Sequence, residues 1–163
     1  MPQVTRPRWM QQQVLVHASR NAVAAIASLA LARIFGLPEP YWACITTFVV
    51  LQAKLRPTFT ASWQRLAGTA LGATMGALLS IYFGPNILAF GAGVFVIGLV
   101  CAMLHLDNSY RLANLTLAIV MLIVRTESPT MVAVHRFLEV SVGIVVALAV
   151  TAVWEEAEPV AKA

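Results

Sequence analysis

Residues 61–83 read ASWQRLAGTALGATMGALLSIYF, and the fold class of the chain can be inferred from these residues. Its only charged residue is Arg65, close to its start, and the rest is largely apolar or small. An α-helix rises about 1.5 Å per residue, so about 20 apolar residues cross the roughly 30 Å hydrocarbon core of a bilayer. The stretch therefore predicts a transmembrane helix that carries a guanidinium in its first turns.

The composition of the whole chain points the same way. Of 163 residues, 60% are hydrophobic and 11% are charged, and the mean hydropathy is +0.79. A soluble domain of this size would carry roughly 25% charged residues. The excess of 11 Lys and Arg over 7 Asp and Glu is explained by the basic loops of a membrane protein. We therefore expect the lipid bilayer, and no nucleic acid, as a partner.

The same length rule divides the chain into six candidate membrane spans. They are residues 18–37, 41–53, 61–83, 86–104, 112–124 and 137–154. We predict an all-α fold, a polytopic membrane helical bundle with about six transmembrane helices, and five is the competing number. No linker divides the chain, so residues 1–163 are expected to form one transmembrane domain.

The distribution of Lys and Arg predicts the orientation of this bundle. With six spans, one side of the membrane holds eight of them: Arg6, Arg8, Arg20, Lys54, Arg56, Arg65, Arg111 and Lys162. The other side holds three: Arg33, Arg125 and Arg136. Because basic loops tend to remain in the cytoplasm, both termini of this multi-pass protein are expected there.

The two halves of the chain share a weak repeat. A shift of 71 residues places Arg65 on Arg136 and Gly72 on Gly143, although few other identities accompany them. Three helices per half is an odd number, so the two halves would enter the membrane from opposite faces. The pattern predicts a 3+3 inverted repeat, an arrangement common among transporters.

Two of the predicted spans, 41–53 and 112–124, are short. Each would extend about 20 Å as a helix, which does not cross the hydrocarbon core comfortably. A matched pair of short helices indicates a substrate site near the midplane of the membrane. The alternative is that both helices continue through their flanks, over residues 37–54 and 107–125.

Three arginines lie at or just inside the ends of predicted spans: Arg65, Arg111 and Arg136. Charges at such positions are costly unless they face the bundle interior, a partner or water. A set of guanidiniums along a pathway would favour anions, so these residues are candidates for an anion pathway. The alternative is that each one anchors a helix end at the lipid headgroups.

Tyr41 and Trp42 open the first short helix, directly after Pro38 and Pro40. Aromatic residues near span ends commonly form a belt at the membrane interface. Their place beside the predicted midplane site also makes them candidates for stacking on an aromatic substrate.

His135, Arg136 and Glu139 lie within about one helical turn of each other. Histidine titrates near neutral pH, and a desolvated carboxyl can titrate in the same range. His135 and Glu139 are therefore candidates for proton coupling. The alternative is that Arg136 and Glu139 simply neutralise each other.

Gly68, Gly72 and Gly76 recur at four-residue spacing and so lie on one face of a helix. Small residues at this spacing let a second backbone approach closely. The pattern predicts a helix-packing face, whose partner is either a helix of the same chain or a helix of another subunit.

Several kinds of chemistry have no motif in this sequence. The chain has no phosphate-binding glycine loop, no HExxH and no GxSxG, and Cys44 and Cys101 lie in apolar stretches away from metal-ligand spacing. We therefore expect no enzymatic activity, no catalytic residue, no cofactor and no metal.

The sequence resembles a known family in the region where these features meet. Residues 40–79, PYWACITTFVVLQAKLRPTFTASWQRLAGTALGATMGALL, are similar to the signature region of the fusaric acid resistance, or aromatic acid exporter, family. The shared order is an aromatic pair before a short helix, a basic loop with a proline, then an arginine followed by spaced glycines. Residues 110–154 resemble the family more loosely.

The resemblance implies a six-helix unit of the bacterial inner membrane that exports carboxylic acids. Members are similar to plant aluminium-activated malate transporters, which are anion channels, and by position Arg65, Arg111 and Arg136 would line the route. Family exporters usually add a large cytoplasmic domain and often a second membrane unit. A lone unit is expected to form a homo-oligomer, with a dimer favoured, and a truncated longer protein is the alternative.

Together these observations predict a membrane transporter or channel for organic anions, which exports aromatic or other carboxylic acids. The alternative is a non-transporting assembly module that acts with a partner membrane protein.

Overall fold

The computed structural model describes residues 8–52, 54–106, 109–123 and 127–154. Over these ranges the chain forms six α-helices and no strand, which confirms the all-α prediction. They are α1 (Arg8–Ile34), α2 (Tyr41–Val50), α3 (Leu55–Phe83), α4 (Ile87–Met103), α5 (Tyr110–Leu122) and α6 (Pro129–Val153).

Three of the described helices are long and apolar enough to cross a membrane on their own. They are α1 over Val14–Ile34, α3 and α6. The helices begin earlier than predicted, α1 at Arg8 rather than residue 18, α3 at Leu55 rather than 61, and α6 at Pro129 rather than 137. Hydropathy detects the apolar middle of a helix and misses the polar turns that continue it.

The helices α2 and α5 are short, with 10 and 13 residues. At about 1.5 Å per residue they extend about 15 and 20 Å. Directly after them the backbone is extended, at Leu51 with ψ 115° and at Ile123 with ψ 112°. The alternative in which both helices run on through their C-terminal flanks is therefore wrong. The predicted ends at residues 53 and 124 lie outside the described residues.

Local sequence explains where α4 and α6 begin. The Asn86 side chain accepts hydrogen bonds from the backbone N–H groups of Leu88 (2.8 Å) and Ala89 (3.3 Å), which satisfies two amides at the helix start. Ser128 accepts from the N–H of Met131, and a proline follows it at the first helical position, where the missing N–H costs nothing.

Helix packing is duplicated between the two halves. α2 packs on α6 and α5 packs on α3, α1 packs on α2 and α6, and α4 packs on α5 and α3. α3 and α6 also pack against each other. Exchanging α1 with α4, α2 with α5 and α3 with α6 leaves this set of packed pairs unchanged, as the predicted repeat of three helices requires.

The C-terminal ends of α1 and α4 share the same backbone conformation and the same capping hydrogen bond. Gly36 and His105 both adopt positive φ, 65° and 55°, and in each case the next residue closes the helix with a bond to a carbonyl five residues earlier. These bonds are Leu37 N to Ala32 O (3.1 Å) and Leu106 N to Cys101 O (2.8 Å). The two caps are related by an offset of 69 residues, since 105 minus 36 is 69.

Two glycines repeat the contact of a long helix with a short one. A Cβ atom on Gly72 would collide with a carbonyl oxygen of α5, and a Cβ atom on Gly143 would collide with a carbonyl oxygen of α2. The carbonyls belong to Ala113 and Ala43, and the nearest side chains are Thr116 and Thr46. The glycines differ by 71 residues but their partners by 70. The single shift of 71 therefore holds for α3 and α6 only.

The predicted glycine face of α3 lies against α5 of the same chain. A Cβ atom on Gly68 would lie 2.7 Å from the Ser109 carbonyl oxygen, and one on Gly76 would lie 2.9 Å from Val120 Cβ. Together with Gly72, these residues bring the two helix backbones into direct contact.

We expect Gly72→Ala to lower the free energy of unfolding by about 1–3 kcal/mol, because the added methyl group overpacks the contact with α5. Gly91→Ala is the matched control, since Gly91 is also helical but has nothing within 4 Å of the Cβ position. Thermal unfolding of both variants in the same detergent measures the difference. Equal midpoints would contradict the close packing of α3 on α5.

Candidate functional site

The buried side chain of Arg136 joins the start of α6 to the start of α2. Arg136 is 2% exposed, and its guanidinium pairs with the carboxylates of Glu39 and Glu139, the latter at 3.1 Å. It also lies over the indole ring of Trp42, 4.5 Å from the ring centroid.

Two further hydrogen bonds fix this cluster. The backbone N–H of Glu39 donates to Glu139 Oε1 at 3.0 Å, and Trp42 Nε1 donates to Glu39 Oε2 at 3.1 Å. Glu139 is 0% exposed. One guanidinium thus faces two carboxylates, so the ionised cluster of Arg136, Glu39 and Glu139 has a net charge of −1. Removing Arg136 would leave both carboxylates without a counter-charge, which is strongly destabilising.

Arg65 is buried in a different environment. It is also 2% exposed, but within the described residues its Nε and Nη1 atoms have no hydrogen-bond partner and no carboxylate pairs with it. The hydroxyls of Ser62 and Thr69, one turn to either side of it on α3, likewise have no partner in the described chain. α3 therefore presents a buried line of donors with one positive charge.

The first turn of α5 lies directly beside this line. Gly68, one turn after Arg65, meets the Ser109 carbonyl oxygen and the Ala113 nitrogen, 2.7 and 3.2 Å from its Cβ position. Ser109 is fully buried, makes no capping hydrogen bond, and its hydroxyl has no partner among the described residues. A helix N-terminus adds unpaired N–H groups and a partial positive charge. Arg65 and the start of α5 together favour an anion.

The third predicted arginine does not join either buried group. Arg111 is exposed at the start of α5, its Nε donates to the Tyr110 hydroxyl at 3.1 Å, and its guanidinium lies 5.7 Å from that ring centroid. Tyr41 is 49% exposed at the start of α2, with its ring 5.8 Å from that of Trp42. The indole of Trp42 covers Arg136, so Tyr41 offers the more open aromatic face.

The proposed proton relay stays a prediction. Glu139 contacts Arg136 and Glu39, whereas the ring of His135 lies 3.1 Å from the carboxylate of Glu127. These contacts place the two titratable groups in different pairs. Of His135 and Glu139, only Glu139 is buried.

Arg20 is a buried residue whose place the sequence reading missed. In the sequence it counts only among the basic residues on one side of the membrane, but it is 1% exposed and so lies inside the bundle. It donates to the carbonyl of Gln52, beyond the end of α2, and to the hydroxyl of Thr151 at 3.2 Å. A cation is favourable at the C-terminal end of a helix. Ala24 and Ser28, at four-residue spacing from Arg20, were the available signal that this face of α1 is buried.

Glu39 was also missed. It lies between two prolines before a short helix and is among only 7 acidic residues in the chain. An acid in a chain so poor in carboxylates is a reasonable partner for a buried arginine. Its partner is 97 residues away in sequence, so only the fold identifies the pair.

Comparisons with known proteins agree with the membrane fold. A family model described as fusaric acid resistance protein-like matches residues 24–150. The chain is 31% identical to the uncharacterized protein ORF2 of Neisseria gonorrhoeae over 86 residues, which are 52% of this chain and 20% of that protein. It is 29% identical to the uncharacterized transporter YdhK of Salmonella typhimurium over 110 residues, which are 64% of this chain and 16% of that protein.

The chain therefore matches a fifth or less of the length of these two relatives. No solved structure matches it. The family model covers most of the chain, from within α1 to within α6, and includes Arg65, Arg136 and the start of both short helices. The resemblance found in the sequence is thereby confirmed, and the chain belongs to the fusaric acid resistance protein-like family.

Proposed function

We propose that this chain is a membrane transporter or channel unit for organic carboxylates, in which Arg65 recognises the anion. The observation that carries the proposal is the buried Arg65 on α3, for which the described chain provides no counter-charge. The family membership and the similarity to a relative named as a transporter support movement of a solute.

Electrostatics explains why such an arginine favours an anion. A guanidinium at membrane depth is costly unless it has a partner or water, and a carboxylate matches its planar fork with two parallel hydrogen bonds. The start of α5 adds a second favourable element, because short helices in transporters direct their N-termini at anionic groups. Ser62, Thr69 and Ser109 supply hydroxyls around the same place.

The proposed substrates are aromatic or other carboxylic acids. The matching family is named for resistance to fusaric acid. Tyr41 provides an exposed aromatic face at the start of α2, and both short helices carry exposed apolar side chains, namely Ile45, Phe48 and Val49 on α2 and Leu115 and Leu122 on α5. We propose export across the bacterial inner membrane, with both termini in the cytoplasm as the basic residues indicate.

Over its described residues, a single chain has three helices long enough to span the membrane and three shorter ones. We therefore propose that two copies form a homodimer, in which the short helices are shielded from lipid.

Anion flux through purified protein in liposomes tests the function. We expect proteoliposomes loaded with radiolabelled phthalate, a dianion at neutral pH, to release it faster than protein-free liposomes. Release of a quaternary ammonium cation should not differ between the two. The competing function is an assembly module that would use the glycine face of α3 and the short helices, and of these the glycine face is covered by α5. Silent liposomes, together with a second membrane protein that co-purifies, would favour that function instead.

A further inference from the structure

The two buried arginines occupy equivalent positions in the repeat. Arg65 on α3 and Arg136 on α6 differ by 71 residues, the same offset as Gly72 and Gly143, whose contacts with the short helices are duplicated. Both arginines are 2% exposed. The molecule thus contains the same guanidinium position twice.

The side chains around the two positions differ. Applying the offset of 71 to α6 and 70 to α2 gives three pairs of equivalent residues: Glu139 with Gly68, Glu39 with Ser109, and Trp42 with Leu112. Packing supports these pairs independently of the arginines. The Cβ position of Gly68 lies 2.7 Å from Ser109 O and 3.0 Å from Leu112 Cβ. In the other half, Glu139 Oε1 accepts a hydrogen bond of 3.0 Å from the backbone N–H of Glu39, the residue equivalent to Ser109.

Both carboxylates that neutralise Arg136 are therefore replaced at the Arg65 position by residues without charge. The Arg136 position has a net charge of −1 with all three groups ionised, whereas within the described residues the Arg65 position keeps the charge of its arginine. The indole that covers Arg136 is replaced by the smaller side chain of Leu112.

We infer that the two equivalent guanidiniums have different partners. The Arg136 position is self-occupied, because carboxylates of the same chain bind it, whereas the Arg65 position binds an external ligand. At Arg136 the chain's own Glu39 and Glu139 are the bound carboxylates. At Arg65 the carboxylate of the transported molecule takes their place. This position stays open to an external anion because the uncharged Ser109 stands where Glu39 stands in the other half. The inference rests on the proposed function and deepens it, since it predicts one carboxylate site per chain.

The geometry of the self-occupied position indicates what the ligand contributes. Around Arg136, a carboxylate meets the guanidinium edge while an apolar ring covers its face. Around Arg65 the described residues supply hydroxyls and the start of α5 but no carboxylate and no aromatic ring. A carboxylate attached to an apolar body completes this set, and a small inorganic anion supplies only the charge.

Ser109→Asp tests the inference, with Ser109→Asn as the matched control. Asp and Asn both favour a helix N-cap and have the same shape, but only Asp places a carboxylate where Glu39 lies in the other half. In detergent-purified protein comprising residues 1–163 we expect phthalate to raise the thermal midpoint of the wild type and of S109N. In S109D we expect the phthalate affinity to fall by at least about tenfold and flux to fall to background.

A second measurement needs no change at Ser109. Equilibrium dialysis of radiolabelled phthalate should give one site per chain in the wild type, no site in Arg65→Gln, and one site in Glu39→Gln. Competition with chloride at the same concentration as phthalate distinguishes carboxylate recognition from a general attraction of anions.

The outcomes separate the two proposals. Equal phthalate affinities of S109D and S109N, two sites per chain, or loss of the site in E39Q would each overturn the inference while leaving transport intact. Displacement of phthalate by chloride at equal concentration would also overturn it. Wild-type protein that binds phthalate at one Arg65-dependent site but passes none would overturn the proposed function and keep the binding site.

Discussion

Arg136→Gln is expected to lower the free energy of unfolding by about 3–5 kcal/mol, which is the usual cost of removing one member of a buried ion pair. The substitution leaves the carboxylates of Glu39 and Glu139 close together, one of them fully buried, without the guanidinium that both contact. It also removes the cation over Trp42. Thermal unfolding followed by tryptophan fluorescence reports both effects, because Trp42 lies in the cluster itself.

Two further variants show whether charge is the cause. Arg136→Lys keeps the charge but loses the planar fork, so an intermediate stability is expected. Replacing the whole cluster, with R136M, E39Q and E139Q together, removes every formal charge and should recover most of the stability lost in R136Q. If R136Q unfolds at the wild-type temperature, the cluster does not hold α2 on α6.

The sequence predicts the helical fold well because membrane spans are encoded by composition and length, which are local properties. The apolar run that follows Arg65 identifies α3, and the glycines at 68, 72 and 76 identify its packing face. The ends of the helices are less well predicted. The first turns of α1, over residues 8–13, are polar, with one arginine and three glutamines, and hydropathy does not distinguish a polar helical turn from a loop.

The repeat is nearly invisible in the sequence for a physical reason. What the two halves share is the approach of backbones at Gly72 and Gly143 and the helix ends at Gly36 and His105. Backbone contacts require small residues or a positive φ at a few positions and leave the other side chains free to differ. The offset also changes from 69 to 71 along the chain, so a single shift aligns only one pair of helices.

Most contacts of the arginines could not be derived from the sequence, and the exception is a pair within one helix. Spacing along a helix predicts that Arg136 and Glu139 meet, and they do, at 3.1 Å. The second acid, Glu39, comes from a different element, and the burial of Arg20 depends on the end of α2. The three arginines of the predicted pathway looked alike in the sequence. The fold separates them into one paired, one exposed and one that is buried with no counter-charge among the described residues.

Arg65→Gln is expected to have the opposite effect on stability from R136Q, while it abolishes transport. A buried donor without a partner costs about 1–3 kcal/mol, and more when it is charged, so removing the Arg65 charge should raise the free energy of unfolding by about 1–3 kcal/mol. Gln retains much of the side-chain length and can hydrogen-bond to the hydroxyls of Ser62 and Thr69. Phthalate flux should fall to the level of protein-free liposomes.

Arg65→Lys is the control that separates charge from geometry. It keeps the positive charge, so no gain in stability is expected, but an ammonium group lacks the planar fork that matches a carboxylate. Flux should therefore be reduced and still measurable. An R65Q protein that is stable and transports normally would remove Arg65 from the pathway. An R65Q protein that is less stable than the wild type would give Arg65 a structural role like that of Arg136. A more stable protein that no longer transports is the result expected of a residue whose charge is kept for its ligand, at a cost to the fold.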